Sequence, residues 1–276
     1  MAVNRTDYSE LATEAAKTVM LEIVHILGEY KDQMAIVGGW VPELLMADAE
    51  PKHVGSVDVD IALNHQFIDA NAYRSISDHL KRAGYTVGDH PYKFFRKVAV
   101  GDEEVSVEVD FLAGEYGGTG KGRRHQRVQD LRVRKARGCD LVFEMTERVK
   151  IEGYLPSGAK DTAHVKVAGV VPFLVMKGMA LADRIKEKDA WDVWFCLRNY
   201  PGGTKALAEL FAPHIDHGLV REGLDHIAEK FGSTEHVGPR WVADFDELEP
   251  GEARDIRVRE AFELVDDLLR RLRARE

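Results

Sequence analysis

The chain has 276 residues, of which 45% are hydrophobic, and a formal net charge of −9 at pH 7. No apolar run approaches the roughly 20 residues that span a bilayer, and Cys139 and Cys196 form no CxxC pair. We therefore expect a cytoplasmic globular protein with buried thiols, and we exclude a membrane span, a disulfide scaffold, a structural zinc site and a protein that coats nucleic acid.

Hydrophobic periodicity and glycine positions predict alternating helices and strands in the first 113 residues. The predicted order is a helix that ends at Gly28, a strand in MAIVGG, a helix in WVPELLMAD, a strand in VDVDIAL, a helix in ANAYRSISDHLKRAG, and a hairpin of KFFRKVAV and EEVSVEVDFL across residues 101 and 102. This order predicts an α/β (α+β) fold, in which helices flank a mixed sheet.

The second half of the chain changes from strands to helices near residue 170. The stretches DLVFEMTERVKIEGYLPSG and HVKVAG read as strands, and five helices follow: VPFLVMKGMALADRIK, KDAWDVWFCLRNY, and segments near 204–212, 218–230 and 252–274. PGG at 201–203 and GSTEHVGP at 232–239 read as breaks between helices. We expect a catalytic domain over 1–170 and a helical domain over 171–276.

Two predicted strands carry carboxylates on one face. Residues two apart in a strand point to the same side, so Asp58 and Asp60 project together, and Asp110 projects with Glu108 from the later strand. Neighbouring carboxylates repel each other unless they share a proton or bind a cation. Because Mg²⁺ prefers oxygen ligands, we expect Asp58, Asp60 and Asp110 to hold Mg²⁺, as two ions if the strands are adjacent.

A glycine pair precedes the first of these strands. Gly38 and Gly39 lie between a strand and a helix, where backbone N–H groups can approach a phosphate and the helix amino terminus adds a favourable partial charge. The alternative is that the two glycines form a turn that binds no ligand. The order of strand, GG, helix and DxD strand is more informative than the pair alone.

IVGG at 36–39, VDVDI at 57–61 and VEVDF at 107–111 resemble the signature of the DNA polymerase β-like nucleotidyltransferases. The resemblance implies catalytic aspartates at 58, 60 and 110, and phosphate contacts from Gly38, Gly39 and Ser56. One departure is the 18 residues that separate Gly39 from Asp58, which we interpret as a loop insertion around AEPKH.

KGMALADRIKEKDAWD at 177–192 resembles the K-x2-A-x3-R-x3-[KR]-D-x2-D pattern of the AbiEii/MenT toxins within that superfamily. This resemblance implies that Lys177, Arg184 and Asp189 belong to the nucleotide site, and it implies a cognate antitoxin and an RNA acceptor, most simply tRNA. An ordinary amphipathic helix with surface charges would show similar residues. GGWVPEL at 38–44 also resembles the start of aminoglycoside nucleotidyltransferases, so a small-molecule acceptor stays open.

A basic segment supplies the expected RNA contact. Residues 121–137, KGRRHQRVQDLRVRKAR, hold eight cations against one acid, and we expect them on a loop or short helix beside the strand of Asp110. A solvated basic face is the alternative. A silent nucleotide-binding module is a further alternative to an enzyme, although three mutually repelling acids disfavour it. The histidines, including His53, His65 and His125, show no ligand spacing and read as surface or loop residues.

Overall fold

The computed structural model describes residues 4–64, 70–114, 125–128 and 131–274, with the backbone alone at 70, 71, 73, 125–128 and 131–133. It is a mixed α/β structure. The chain divides into two compact units. The sheet unit contains residues 8–45 and 55–169, and the helical unit contains residues 1–7, 46–54 and 170–276. The segment 46–54, between Gly39 and Asp58, is thus grouped with the helices.

The sheet unit alternates helices and strands as predicted. Its helices are α1 (Glu10–Ile26), α2 (Trp40–Leu45) and α3 (Ala70–Arg82). Its strands are β1 (Met34–Val37), β2 (Asp58–Leu63), β3 (Thr86–Val87), β4 (Lys93–Val100), β5 (Glu103–Ala113), β6 (His125–Val128), β7 (Leu131–Lys135), β8 (Thr146–Tyr154) and β9 (Lys160–Ala168).

The described strands form one mixed sheet in the order β3-β4-β5-β2-β1-β9-β8, with β7 beside β5 and β6 beside β7. Strands β2 and β5 pair in parallel, as do β1 and β9, whereas β1 and β2 pair antiparallel. Helix α1 packs on this sheet through a stripe of buried apolar residues. The Ser9 hydroxyl accepts a hydrogen bond from the backbone N–H of Ala12 and so caps the start of α1.

The helical unit contains six described α-helices: α4 (Val170–Asp183), α5 (Glu187–Asn199), α6 (Gly203–Phe211), α7 (Gly218–Lys230), α8 (Val237–Phe245) and α9 (Glu252–Arg273). Helices α4 and α7 approach each other at Gly178 and Gly223. A Cβ on Gly178 would lie 2.1 Å from the carbonyl oxygen of Gly223, so only glycine fits there. No described helix has the length and apolar character needed to cross a bilayer.

Three predictions of local structure are wrong. Residues Cys139–Phe143 form a 3-10 helix rather than a strand, because a short apolar run has no period that separates the two. Within the basic segment, β6 and β7 form an antiparallel hairpin rather than a loop or short helix. Helix α8 begins at Val237 inside the predicted break, since Pro239 is tolerated in a first helical turn.

Candidate active site

The two aspartates of β2 lie on one face of the sheet. Val59 and Ile61, which alternate with them, are fully buried, whereas Asp58 and Asp60 are half-buried. A strand whose opposite face is packed has a strongly specified register. The predicted alternation is therefore confirmed, and the two carboxylates project together.

Asp110 lies beside this pair on the adjacent strand. In the parallel register of β2 and β5, Asp60 is the partner of Asp110 and Asp58 is the partner of Glu108. Val109 and Phe111 point into the core and are fully buried. The sheet thus brings Asp58, Asp60 and Asp110 onto one face. Glu108 is a fourth acid on this face, as the alternation predicts, and it was not among the predicted site residues.

The glycine at 38 fits directly against this acidic pair. Gly38 has φ +69°, and a Cβ there would lie 2.0 Å from Oδ2 of Asp60. The position therefore requires glycine both for its left-handed backbone and for the space that the Asp60 carboxylate fills. The GG turn and the DxD strand, which are separate motifs in the sequence, form one packed unit.

Neighbouring residues hold Asp58 from two sides. The indole Nε1–H of Trp40, at the start of α2, donates to the backbone oxygen of Asp58 at 2.9 Å. The buried Ser56 hydroxyl donates a short hydrogen bond to Oδ1 of Asp58. The predicted contact of Ser56 with phosphate stays a prediction, and the contact present here orients a carboxylate. Gly39 is buried between β1 and α2.

Asp110 is the most deeply buried acid of the group, with 5% of its surface exposed. Its Oδ2 accepts a hydrogen bond from Nη1 of Arg134 at 3.2 Å, and its Oδ1 has no hydrogen-bond partner among the described residues. Burial raises the pKa of Asp110, and Glu108 raises it further, while Lys93 and Arg134 oppose the shift. Lys93 itself forms an ion pair with Glu108.

The side chains on this face present carboxylate oxygens, which have the chemistry that a divalent cation binds. In the described parts of the chain, no three acidic, histidine or cysteine side chains converge closely enough to form a complete metal site. However, the Oδ1 atom of Asp110 is a buried carboxylate oxygen that no described residue donates to, which is costly unless a cation or proton approaches it. The carboxylate oxygens of Asp58, Asp60 and Asp110 are the ligand type that Mg²⁺ prefers.

The residues matched to the toxin pattern form a buried charge network in the helical unit. Lys177 Nζ donates to Asp189 Oδ1 at 2.6 Å and lies 2.7 Å from Asp192 Oδ2. Arg184 binds both oxygens of Asp189, at 2.8 and 3.1 Å. Lys188 Nζ lies 2.9 Å from Asp192 Oδ1. Arg184, with 44% of its side chain exposed, is the member of this pattern that reaches solvent.

Burial and ion pairing oppose each other in this network. Burial alone would raise the pKa of Asp189, but Lys177 and Arg184 outweigh it and lower that pKa to about 2. Lys177 and Lys188 likewise hold the pKa of Asp192 well below its usual range. Both aspartates are therefore ionised at neutral pH. With three cationic side chains, the network carries a net positive charge.

His53 completes the network: it lies in a loop, as one of the two predicted alternatives has it, but it is buried rather than at the surface. Its side chain is fully buried, and its Nε2 lies 2.9 Å from Asp192 Oδ1. Burial and the nearby Lys188 lower the pKa of His53 to about 4, so the neutral ring donates its Nε2–H to the ionised Asp192. No local pattern in PKHVG indicates this role, because the partner lies 139 residues away. His65 and the side chain of His125 lie outside the described residues.

The basic segment is described only in part. Lys121, Arg123 and Arg124, and the side chains of Arg127 and Arg132, lie outside the described residues. Strand β7 pairs in parallel with β5, so the segment does adjoin the strand of Asp110 as expected. The segment contacts the acidic face through Arg134, which forms an ion pair with the Asp110 carboxylate. Cys139 and Cys196 are both fully buried, which confirms the prediction of buried thiols.

Comparison with known proteins gives a family for this architecture. No curated protein matches the chain. A protein-family model, described as nucleotidyl transferase AbiEii toxin of type IV toxin-antitoxin systems, matches residues 27–270. The matched span includes Gly38, the three aspartates of the sheet and the charge network of α4 and α5. The resemblance inferred from the sequence is thereby confirmed, and the chain belongs to the AbiEii family of nucleotidyl transferase toxins.

Proposed function

We propose that this nucleotidyltransferase moves a nucleoside monophosphate from an NTP to a hydroxyl of an RNA acceptor, with tRNA as our candidate, and releases pyrophosphate. The observation that carries the proposal is the pairing of Asp60 with Asp110 across parallel strands, with Gly38 packed against Asp60. Family membership supports a toxin in the cytoplasm, where NTPs and tRNA are available, and a cognate antitoxin that restrains it.

Asp58, Asp60 and Asp110 would hold Mg²⁺, which would supply charge neutralisation of the phosphates and activation of the attacking hydroxyl. Ser56 orients the Asp58 carboxylate through its hydroxyl. The Oδ1 atom of Asp110, which has no hydrogen-bond partner among the described residues, is the oxygen that would approach the ion. The backbone at Gly38 and Gly39 would approach the phosphates.

For the charge network we propose an electrostatic role toward the triphosphate. Lys177 and Asp189 hold each other in place, and Arg184 presents its guanidinium group to solvent from the same cluster. Guanidinium groups bind phosphate oxygens through paired N–H donors. The net positive charge of the network would offset part of the triphosphate charge.

The test is a label-transfer assay with Mg²⁺ and each of the four α-labelled NTPs. One set of reactions contains total tRNA and the other contains a panel of aminoglycosides. We expect label on RNA, and we expect Asp58→Asn to reduce it at least 100-fold, because loss of a charge-stabilising group at a reacting centre costs about that much.

Asp102→Asn is the matched control, since Asp102 lies in the exposed turn between β4 and β5. It should transfer label at the wild-type rate. Label on an aminoglycoside and none on RNA would replace the acceptor that we propose. Full activity in Asp58→Asn would overturn the assignment of the aspartates.

A further inference from the structure

The hairpin of β8 and β9 carries a second cluster of cations, separate from the basic segment. Its register pairs Arg148 with Lys166, Lys150 with His164 and Tyr154 with Lys160. Arg148, Lys150, Lys160 and His164 are exposed, and Lys166 is half-buried. We call these side chains, together with Lys31 and Tyr154, the hairpin face.

The alternation of the two strands directs these side chains to solvent. Ile151, Ala163, Val165 and Val167 occupy the intervening positions and are buried. The cations therefore share one side of a two-stranded ribbon whose other side is packed. This arrangement fixes their positions more firmly than a loop would.

Charge on the hairpin face opposes the charge of the whole protein. Five lysine and arginine residues stand against two acids, Asp32 and Glu152, in a protein with a net charge of −9. Asp32 lies near Arg148 and Lys166, at 3.4 and 3.8 Å, and Glu152 pairs with Lys150. A surplus of three positive charges remains for an external anion.

The hairpin face lies on the same side of the sheet as the catalytic aspartates. Ile36 is the partner of both Val167 and Ile61, so these three residues share the opposite, buried side. Their neighbours Lys166 and Asp60 therefore point to the other side together. Lys166 lies two strands across the sheet and two residues along it from Asp60. Standard strand spacings put their Cα atoms about 12 Å apart.

Besides its charge, the hairpin face has a cavity and an exposed aromatic ring. Lys31, Arg148, His164 and Lys166, with Asp32, line a surface cavity of about 80 Å³ at one end of the hairpin. Tyr154 lies at the other end, with 53% of its surface exposed. A row of cations that ends at an exposed aromatic ring is a combination that suits a single-stranded polynucleotide, because the ring stacks on a base while the cations follow the phosphates.

We propose that the hairpin face binds the sugar–phosphate backbone of the RNA acceptor, with Tyr154 stacked on an unpaired base and the strand end directed toward Asp60. This inference rests on the proposed function, because it names the surface that holds the acceptor of that reaction. Charge complementarity favours a polyanion over an apolar partner.

The experiment measures binding of the full-length protein to a fluorescently labelled RNA hairpin with a single-stranded 3′ end, without NTP. The test variant combines Arg148→Gln, Lys150→Gln and Lys166→Gln. The control combines Arg74→Gln, Lys81→Gln and Lys205→Gln, which removes the same charge from exposed positions elsewhere. We expect the test variant to bind at least 10-fold more weakly, and the slope of log affinity against log salt to fall by about 2.

A third variant tests stacking. Tyr154→Ala should weaken binding of RNA with a single-stranded end at least about 5-fold and leave binding of blunt duplex RNA unchanged. Thermal unfolding checks that each variant is folded. Equal RNA affinity in the test and control variants would overturn the proposal. It would also be overturned if the test variant bound poly-glutamate more weakly than the control but bound RNA equally well, because that would indicate an acidic protein partner.

Binding of Mg²⁺–NTP, measured separately, distinguishes this inference from the proposed function. The hairpin variants should bind NTP as the wild type does. If the wild type binds no NTP while RNA binding still depends on the hairpin face, the proposed function fails and the binding surface stands.

Discussion

Gly38 carries two constraints at one position, and they belong to different levels of structure. Its φ of +69° is a local requirement of the turn after β1. The 2.0 Å that would separate an added Cβ from the Asp60 carboxylate is a tertiary requirement, since Asp60 lies on another strand. A substitution at this residue therefore tests the backbone and the acidic site together, and Gly101 separates the two effects.

We expect Gly38→Ala to lose more stability than Gly101→Ala and to reduce label transfer at least 100-fold. Gly101 has φ +61° and open space where a Cβ would lie. Alanine there would therefore lose only the left-handed backbone cost of about 1–2 kcal/mol. Urea unfolding and the label-transfer assay measure the two effects. Equal losses of stability in both variants would show that the Asp60 carboxylate moves aside without cost.

At Asp110, catalysis and stability are expected to oppose each other. Because burial raises its folded-state pKa, the native state holds more protons than the unfolded state between the ordinary value of 3.8 and the raised value, and stability falls as pH rises through that window. At pH 7 the ionised carboxylate is therefore a cost, although Arg134 and Lys93 reduce it.

Asp110→Asn should consequently raise the melting temperature at pH 7 by about 2–4 °C, as a gain near 1 kcal/mol would do, while label transfer is lost. Asp102→Asn should change neither quantity. A marked decrease in melting temperature would instead mean that the pairing of Asp110 with Arg134 is mainly structural.

At the scale of elements, the segment 46–54 lies within an unusually long spacing. Of the 18 residues between Gly39 and Asp58, those at 46–54 belong to the helical unit. His53 joins Asp192 of α5 there, and its ring packs against Trp191 and Phe195 with centroids 5.0 and 4.8 Å apart. The insertion thus contributes a polar contact to the buried network.

This contact predicts a specific dependence of stability on pH. The pKa of His53 falls from 6.5 to about 4 on folding, so the unfolded state binds the extra proton in that window. Stability is present above pH 6.5 and is lost as pH falls toward 4, by up to roughly 3 kcal/mol for this group. Below about pH 4 this contribution no longer changes.

We expect His53→Gln, whose amide can still donate to Asp192, to lose less stability than the wild type between pH 7 and pH 4 in urea unfolding. His164→Gln, at an exposed position, is the control and should follow the wild type. Parallel curves for wild type and His53→Gln would contradict a buried neutral histidine. Asp189 titrates lower, toward pH 2, so it does not obscure this window.

For the whole molecule, the placement of charge is more informative than its total. The net charge of −9 disfavours nonspecific binding of RNA, yet cations collect on the hairpin face and in the network around Lys177. The acids, by contrast, converge at one face of β2 and β5. Within the sheet unit, cations and acids are thus gathered in separate places.

Removal of divalent cations should therefore stop the reaction without unfolding the protein. We expect EDTA to abolish label transfer and added Mg²⁺ to restore it, because the carboxylates need a cation to face a triphosphate. Circular dichroism should be unchanged by EDTA, since the opposite face of β2 is packed by Val59 and Ile61. Full transfer in EDTA would contradict the metal assignment.

Local periodicity determined much of this protein from sequence alone. The alternation in VDVDI and VEVDF and the GG turn predicted the strands and the three sheet aspartates, because each signal lies within a few residues. The family came from a resemblance of these motifs, and of residues 177–192, to a known pattern. The tertiary structure decided which strands pair, that Asp60 faces Asp110, that residues 46–54 leave the sheet unit, and that His53 meets Asp192. Those outcomes depend on contacts between residues far apart in the chain, which no local period records.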